Sequence, residues 1–85
     1  MKFIFIKLKI KSEYYIHEAL STHGIEEEVD IIEFANNIAA SYYEVHYSYM
    51  EYDYYYFHGG RIGVKVSEVR EITQLEYNIL NQFIY

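Results

Sequence analysis

Residues Lys2–Lys11 read Lys-Phe-Ile-Phe-Ile-Lys-Leu-Lys-Ile-Lys and alternate without a break. Ile4, Ile6, Leu8 and Ile10 share one parity; Phe3, Phe5, Lys7, Lys9 and Lys11 share the other. Successive strand residues point to opposite faces, so this period of two demands a half-buried β-strand. A helix would scatter the isoleucines around its circumference. The chain must therefore build a sheet with the four aliphatic side chains on its core side. An antiparallel sheet, which tolerates one wet face, fits that alternation.

The remaining segments supply partners for this strand. Residues 12–22 fit a strand through Tyr14, Ile16 and Leu20, or a short helix through Ile16, Ala19 and Leu20. A hairpin closed near Lys11-Ser12-Glu13 favours the strand. Residues 25–40 predict a helix, because Ile25, Val29, Ile32, Ala35 and Ala39 recur at helical spacing. Glu26, Glu27 and Glu28 would then sit in its first turn, where the helix dipole favours negative charge. Tyr43, Val45, Tyr47 and Tyr49 alternate with polar residues as a strand does, and the alternation breaks at Met50-Glu51. Residues 52–57 are again extended and aromatic. This stretch is one bulged strand or a loop followed by a strand.

Phe57-His58-Gly59-Gly60-Arg61 predicts a two-residue type I′ hairpin, since both glycines can take positive φ. The following strand, residues 61–72, places Ile62, Val64 and Val66 on one face, and Val69 falls on the other parity. A bulge or a strand end near Ser67-Glu68 follows. Thr73-Gln74-Leu75-Glu76 is a capping box with Ile72 and Tyr77 placed as a staple. The last helix spans 74–84, with Leu75, Ile79, Leu80, Phe83 and Ile84 as its apolar face. The expected architecture is β-β-α-β-β-α: a single α+β domain over residues 1–85. Its antiparallel sheet has about four strands, with both helices packed on one face.

The hairpin sets a register. Phe57 pairs with Ile62, Tyr56 with Gly63, Tyr55 with Val64 and Tyr54 with Lys65, and opposed residues share a face. Tyr55 and Phe57 belong to the core. Tyr52, Tyr54, Tyr56 and Lys65 belong to the other face, which Phe3 and Phe5 continue on the first strand. With both helices on the core side, this second face is open. Seven of the twelve tyrosines fall between residues 43 and 56. An exposed aromatic patch of this kind marks an interaction surface, and tyrosine buries its ring while keeping a hydroxyl for a partner. The plain alternative is a tyrosine coat over a solvated sheet.

Thirteen acidic residues against seven basic give a net charge of −6, which argues against a phosphate-bearing partner. Lys7, Lys9, Lys11, Lys65 and Arg61 can still form a local basic strip. RNA-binding sheets stack bases on aromatic strand residues, so a single-strand nucleic-acid binder stays as a minor alternative. There is no cysteine, hence no disulfide frame or thiolate zinc site. His17, His23, His46 and His58 show no metal-ligand spacing, so neither metal nor cofactor is expected. No nucleophile–base constellation emerges, and the chain is read as non-catalytic. Lys7, Lys9 and Lys11 interrupt the opening apolar run before it resembles a signal peptide, and no run reaches a membrane span. A cytoplasmic protein without membrane partners is the expectation.

From Tyr54-Tyr55-Tyr56-Phe57-His58-Gly59-Gly60 through Val64-Lys65-Val66 to Glu71-Ile72-Thr73-Gln74-Leu75-Glu76-Tyr77, the chain resembles small accessory proteins of phages and mobile elements. Size, acidity and a composition rich in AT-codon residues make it similar to anti-CRISPR proteins. That resemblance implies stoichiometric inhibition of a host protein or protein complex, in the host cytoplasm, without catalysis. It carries no site residue with it. The tyrosine face itself supplies the docking residues: Tyr52, Tyr54, Tyr56 and Lys65, with Phe3 and Phe5. Glu26 and Glu27 would steer the protein toward a basic partner. A homodimer through the same face is the other reading.

Overall fold

The alternation of residues 2–11 becomes strand β1, Lys2–Lys11, in a computed structural model that describes residues 1–84, Ile84 by its backbone alone. Its four aliphatic side chains are almost completely buried. Strand β2, Ile16–Ile25, hairpins onto β1 and pairs from Lys11↔Ile16 to Lys2↔Ile25. The hairpin turn takes residues 12–15, closed by the Ser12 N–H donating to the Tyr15 carbonyl at 2.9 Å. The second element is thus a strand, begun later and extended further than residues 12–22. Its extension to Ile25 displaces the start of helix α1, which spans Ile31–Ala40 and not residues 25–40. Asp30 caps α1 by accepting from the Ile32 and Glu33 N–H groups at 2.9 and 3.1 Å. Glu26, Glu27 and Glu28 consequently lie in a turn before the helix and not within its first turn.

Residues 41–48 form no strand. They carry the chain from α1 to the far sheet edge, and the rings of Tyr43 and Tyr47 pack on the core side. Tyr43 meets Phe57 edge-on at 5.0 Å and Tyr47 meets Tyr55 at 5.0 Å. The alternation there serves ring packing, not a hydrogen-bond ladder. Strand β3, Tyr49–Glu51, then pairs with β4, Tyr54–Phe57. Tyr52 and Asp53, at φ 51° and 69°, form the two-residue turn between them. Both central residues are left-handed, as a type I′ hairpin requires. The break at Met50-Glu51 is therefore a strand ending in a hairpin, not a bulge.

Gly59-Gly60 does not make the two-residue turn. Residues 58–61 form a longer connection containing a short 3-10 turn over His58–Gly60, with positive φ at His58, Gly59 and Gly60. At φ 99° Gly60 holds a conformation that side-chain-bearing residues rarely adopt, and a Cβ there would fall 2.6 Å from the Tyr49 Oη, which would have to move. The register survives: Phe57↔Ile62, Tyr56↔Gly63 and Tyr55↔Val64 are all paired. Strand β5, Ile62–Ile72, runs antiparallel to β1 and shifts register at Ser67, where the change of parity at Val69 required a bulge.

The sheet has five strands, not four, in the order β2-β1-β5-β4-β3. Helix α2, Gln74–Ile84, follows β5 at once. Its capping box is formed: Thr73 N–H donates to the Glu76 carboxylate at 3.0 Å, and Glu76 N–H to the Thr73 hydroxyl at 3.1 Å.

The two helices lie on opposite faces, not on one. Ala35 and Ala39 of α1 join Ile4, Ile6, Leu8 and Ile10 in the core, and Phe34 meets His23. Tyr77 of α2 instead packs on Phe3 at 4.6 Å, and Thr22 hydrogen-bonds Asn81. Phe3 and Thr22 belong to the opposite parity of the sheet. Ile72 pairs with Phe3 and shares its face, so the chain leaves β5 on the phenylalanine side and α2 is laid there. The expected apolar face of α2 is largely inverted. Leu75, Ile79 and Phe83 are exposed, Phe83 at 81 %, while Tyr77, Leu80 and Asn81 turn inward. The side chain of Ile84, assigned to the same face, lies outside the described residues.

Candidate binding face

The face opposite α1 is organised in rows across the strands. Nearest the 12–15 and 58–61 turns, one row runs Ile16–Lys11–Gly63–Tyr56–Tyr49. The next runs Glu18–Lys9–Lys65, continues over Tyr54 and ends at Glu51. A third holds Leu20, Lys7 and Glu68. Beyond it lie Thr22–Phe5–Arg70 and Gly24–Phe3–Ile72, the end on which α2 sits.

Gly63 shapes the first row. A Cβ there would meet Tyr56 Cε1 at 2.9 Å and Tyr54 Cδ1 at 3.0 Å, so both rings close over its bare backbone. Tyr49 stacks on Tyr56 at 4.9 Å with 17° between the planes, and Tyr54 lies 5.7 Å from Tyr56. Lysines interleave with these rings. Lys11 Nζ stands 4.9 Å from the Tyr54 ring centre and 5.8 Å from that of Tyr56, and Lys65 Nζ stands 5.4 Å from Tyr54. Each ammonium meets the negative π-face of a ring.

Charge is distributed unevenly. Lys7, Lys9, Lys11 and Lys65, four of the five lysines, share this face. Lys7 reaches Glu18 at 3.7 Å, and Arg70 reaches Glu68 at 3.4 Å and Glu76 at 3.8 Å. Among the described residues no carboxylate pairs with Lys9, Lys11 or Lys65. Lys9 and Lys65 stand directly opposite each other, a like-charge arrangement that weakens a sheet. Glu18 and Glu51 lie at the two rims of that row. The other acids lie elsewhere, most of them in the 26–30 turn, on α1 and α2, and on the opposite parity of β5.

The sequence-derived site is thus partly assembled. Tyr54, Tyr56 and Lys65 lie together in the open rows. Tyr52 does not join them; it is at the tip of the β3–β4 hairpin, 83 % exposed. Phe3 and Phe5 share the face but not its open part, because α2 covers Phe3 and Phe5 is buried beneath Arg70 at 5.1 Å. Glu26 and Glu27 are remote from the tyrosines, and the Glu27 carboxylate meets the N-terminal amine at 3.2 Å. Arg61 stays in its turn, outside the strip. Tyr49 and Gly63 were missed as functional positions. Gly63 carried a signal, since its register partner Tyr56 was already placed; Tyr49 carried none without the hidden hairpin.

Burial pushes the Tyr55 and Tyr43 phenols above their ordinary value, with neighbouring tyrosines adding to it. Burial also lowers His23 on the α1 side. The Thr73 backbone N–H, then its hydroxyl, holds Glu76 below the usual glutamate value. Among the described residues no group of three or more His, Asp or Glu side chains is placed to hold a metal ion. No helix among them is long and apolar enough to cross a membrane. Compared with known protein families, with curated proteins and with solved structures, the chain matches none.

Proposed function

We propose that this chain is a non-catalytic binding module that holds an anionic macromolecular partner against the open rows of its sheet. The observation that carries the reading is the interleaving of Lys11 and Lys65 with Tyr54 and Tyr56, with Lys9 directly opposite Lys65. Three lysines without carboxylate partners share this face, two of them over aromatic rings, on a chain whose net charge is −6. Stability alone does not call for Lys9 opposite Lys65, because directly opposed like charges oppose sheet formation. Tyrosine rings backed by a rigid sheet offer a large contact area at little entropic loss.

Inhibition of a host complex, as the likeness to anti-CRISPR proteins implies, is one setting for such a module. A basic, nucleic-acid-binding target would suit the Glu26–Glu28 turn; an acidic target suits the lysine rows. Self-association through the tyrosine face would press the lysines of two copies together. A second copy is better served by α2, where Leu75, Ile79 and Phe83 form an outward apolar stripe.

The test is a comparison of wild type with a Tyr49→Ser, Tyr54→Ser, Tyr56→Ser variant as bait in lysate. Circular dichroism establishes that both are folded. Material held by the wild type and released by the variant supports the face, and its sensitivity to nuclease or protease gives its class. Equal retention by both proteins sinks the reading. Light scattering across concentrations, with Phe83→Ser as control, measures self-association through α2.

A further inference from the structure

We infer that the partner of the open rows is a single-stranded nucleic acid, held by base stacking on the tyrosines and by phosphate contacts to the lysines. The inference rests on the binding-face reading above and narrows its partner to one class.

The chemistry of the face has two parts, and each selects. The unpaired cations select an anion. Lys9 and Lys11 lie two residues apart on one strand, so their side chains emerge about 6.7 Å from each other. Lys65 faces Lys9 across the ladder. Charges repeated at that step suit the successive phosphates of an extended strand. The rings select against a plain acidic peptide. Tyr49 and Tyr56 are already stacked with 17° between their planes, and Tyr54 lies beside them. Planar bases extend such a stack, whereas carboxylate side chains gain little from it. Stacking platforms joined to a cationic groove are how proteins hold single strands without reading sequence. A duplex presents no free base faces to these rings.

The acidic balance of the chain does not prevent this. Most acids sit outside the open rows, and beyond about 8 Å their field is screened at physiological salt. Glu18 and Glu51 flank the strip at its two sides, across the direction in which Lys9 and Lys11 repeat, and bound its width. Three phosphate contacts predict a shallow salt dependence: log K falls against log salt with a slope of about −2.

The experiment is fluorescence anisotropy with labelled ten-residue oligouridine and oligothymidine. Three comparison probes accompany them: an abasic backbone of equal length, the duplex form, and polyglutamate. Wild type is expected to bind the base-bearing single strands at least tenfold tighter than the other probes. Lys9→Gln with Lys65→Gln should weaken every anion and flatten the salt slope. Tyr54→Leu with Tyr56→Leu should weaken only the base-bearing strands, by roughly tenfold or more, leaving the salt slope in place. Equal binding of abasic backbone, polyglutamate and oligonucleotide overturns the nucleic-acid assignment and leaves the anionic-partner reading standing. Absence of binding to all probes also overturns it. The lysate comparison then decides separately whether the face binds anything: tyrosine-dependent capture of protease-sensitive material keeps the face and replaces its partner.

Discussion

Strand β4 holds four aromatic residues in succession, and neighbours one position apart meet opposite fates. Tyr55 and Phe57 are sealed beneath Tyr47 and Tyr43 on the α1 side. Tyr54 and Tyr56 lie half-exposed beneath lysine ammonium groups. Both faces of the strand are wholly aromatic; the company differs. On the covered side rings meet hydrocarbon and other rings, and the outcome is a packed core. On the open side they meet cations that lack carboxylate partners. Tyrosine richness is therefore two phenomena on one strand, one about stability and one about recognition.

The sharpest way to break that contrast is a matched pair of truncations. Phe57→Ala should destabilise the fold by about 3–5 kcal/mol, because it empties a fully buried site. Tyr56→Ala should lose only about 1 kcal/mol, chiefly its stacking partner. Urea unfolding of the two variants measures the difference; comparable losses would mean the open face is part of the core.

Next in size is the cap that anchors α2 over one end of the open face. Thr73→Ala should lose about 1 kcal/mol. The wild-type cap is also sensitive to acid. Glu76 titrates lower folded than unfolded, so its contribution is complete above the ordinary glutamate value and fades as pH falls through the lowered one. His23 on the covered side works in the same direction at higher pH. Its folded value lies below the ordinary 6.5, so stability falls once pH drops into the histidine range. Thermal melts at stepped pH separate the two, and a His23→Gln variant should lose only the upper step.

A smaller effect, of opposite sign, is expected at the hairpin tip. Tyr52 occupies a left-handed position at φ 51°, which a bulky L-residue adopts at a loss. Tyr52→Asn should raise stability by about 0.5 kcal/mol without touching the binding rows. A change of similar size is the most telling. Lys65→Glu replaces a like pair with an opposite pair across from Lys9 and should stabilise the sheet by about 0.2–1 kcal/mol. The same variant should abolish anion binding. A protein that became both firmer and inert would show that the open face is composed against stability, and a loss of stability would refute it.

Local rules were readable from the sequence wherever a residue type has one strong preference. The alternation of β1, the capping box at Thr73 and Glu76, the Phe57–Ile62 register and the bulge after Val66 all needed only nearest neighbours. What escaped depended on longer contacts. The type I′ turn at Tyr52-Asp53 has none of the usual glycine or asparagine marks, so β3 was invisible and Tyr52 was placed on the wrong surface. The start of α1 was misjudged because Ile25 suits a helix stripe and a strand end equally, and only pairing with Lys2 decides. The side taken by α2 follows from the parity of Ile72, which the bulge resets. Of the candidate site, Tyr54, Tyr56 and Lys65 were legible through register. A basic strip with Lys9 and Lys11 was also readable from strand parity; the direct opposition of Lys9 and Lys65 required knowing that β1 lies beside β5.

That adjacency has a further consequence. The open rows straddle the seam between the first and last strands of the chain: Lys9 and Lys11 come from one end of the sequence, the tyrosines and Lys65 from the other. Neither end carries the whole surface, so the surface exists only after the longest loop of the molecule has closed. A ligand lying across it braces both ends at once and binds the folded chain alone. At a hundredfold excess over its dissociation constant, such a ligand would raise the unfolding free energy by about 2.7 kcal/mol. For a domain this small, occupancy would be visible as a higher melting temperature, so the folding equilibrium itself reports whether the surface is occupied.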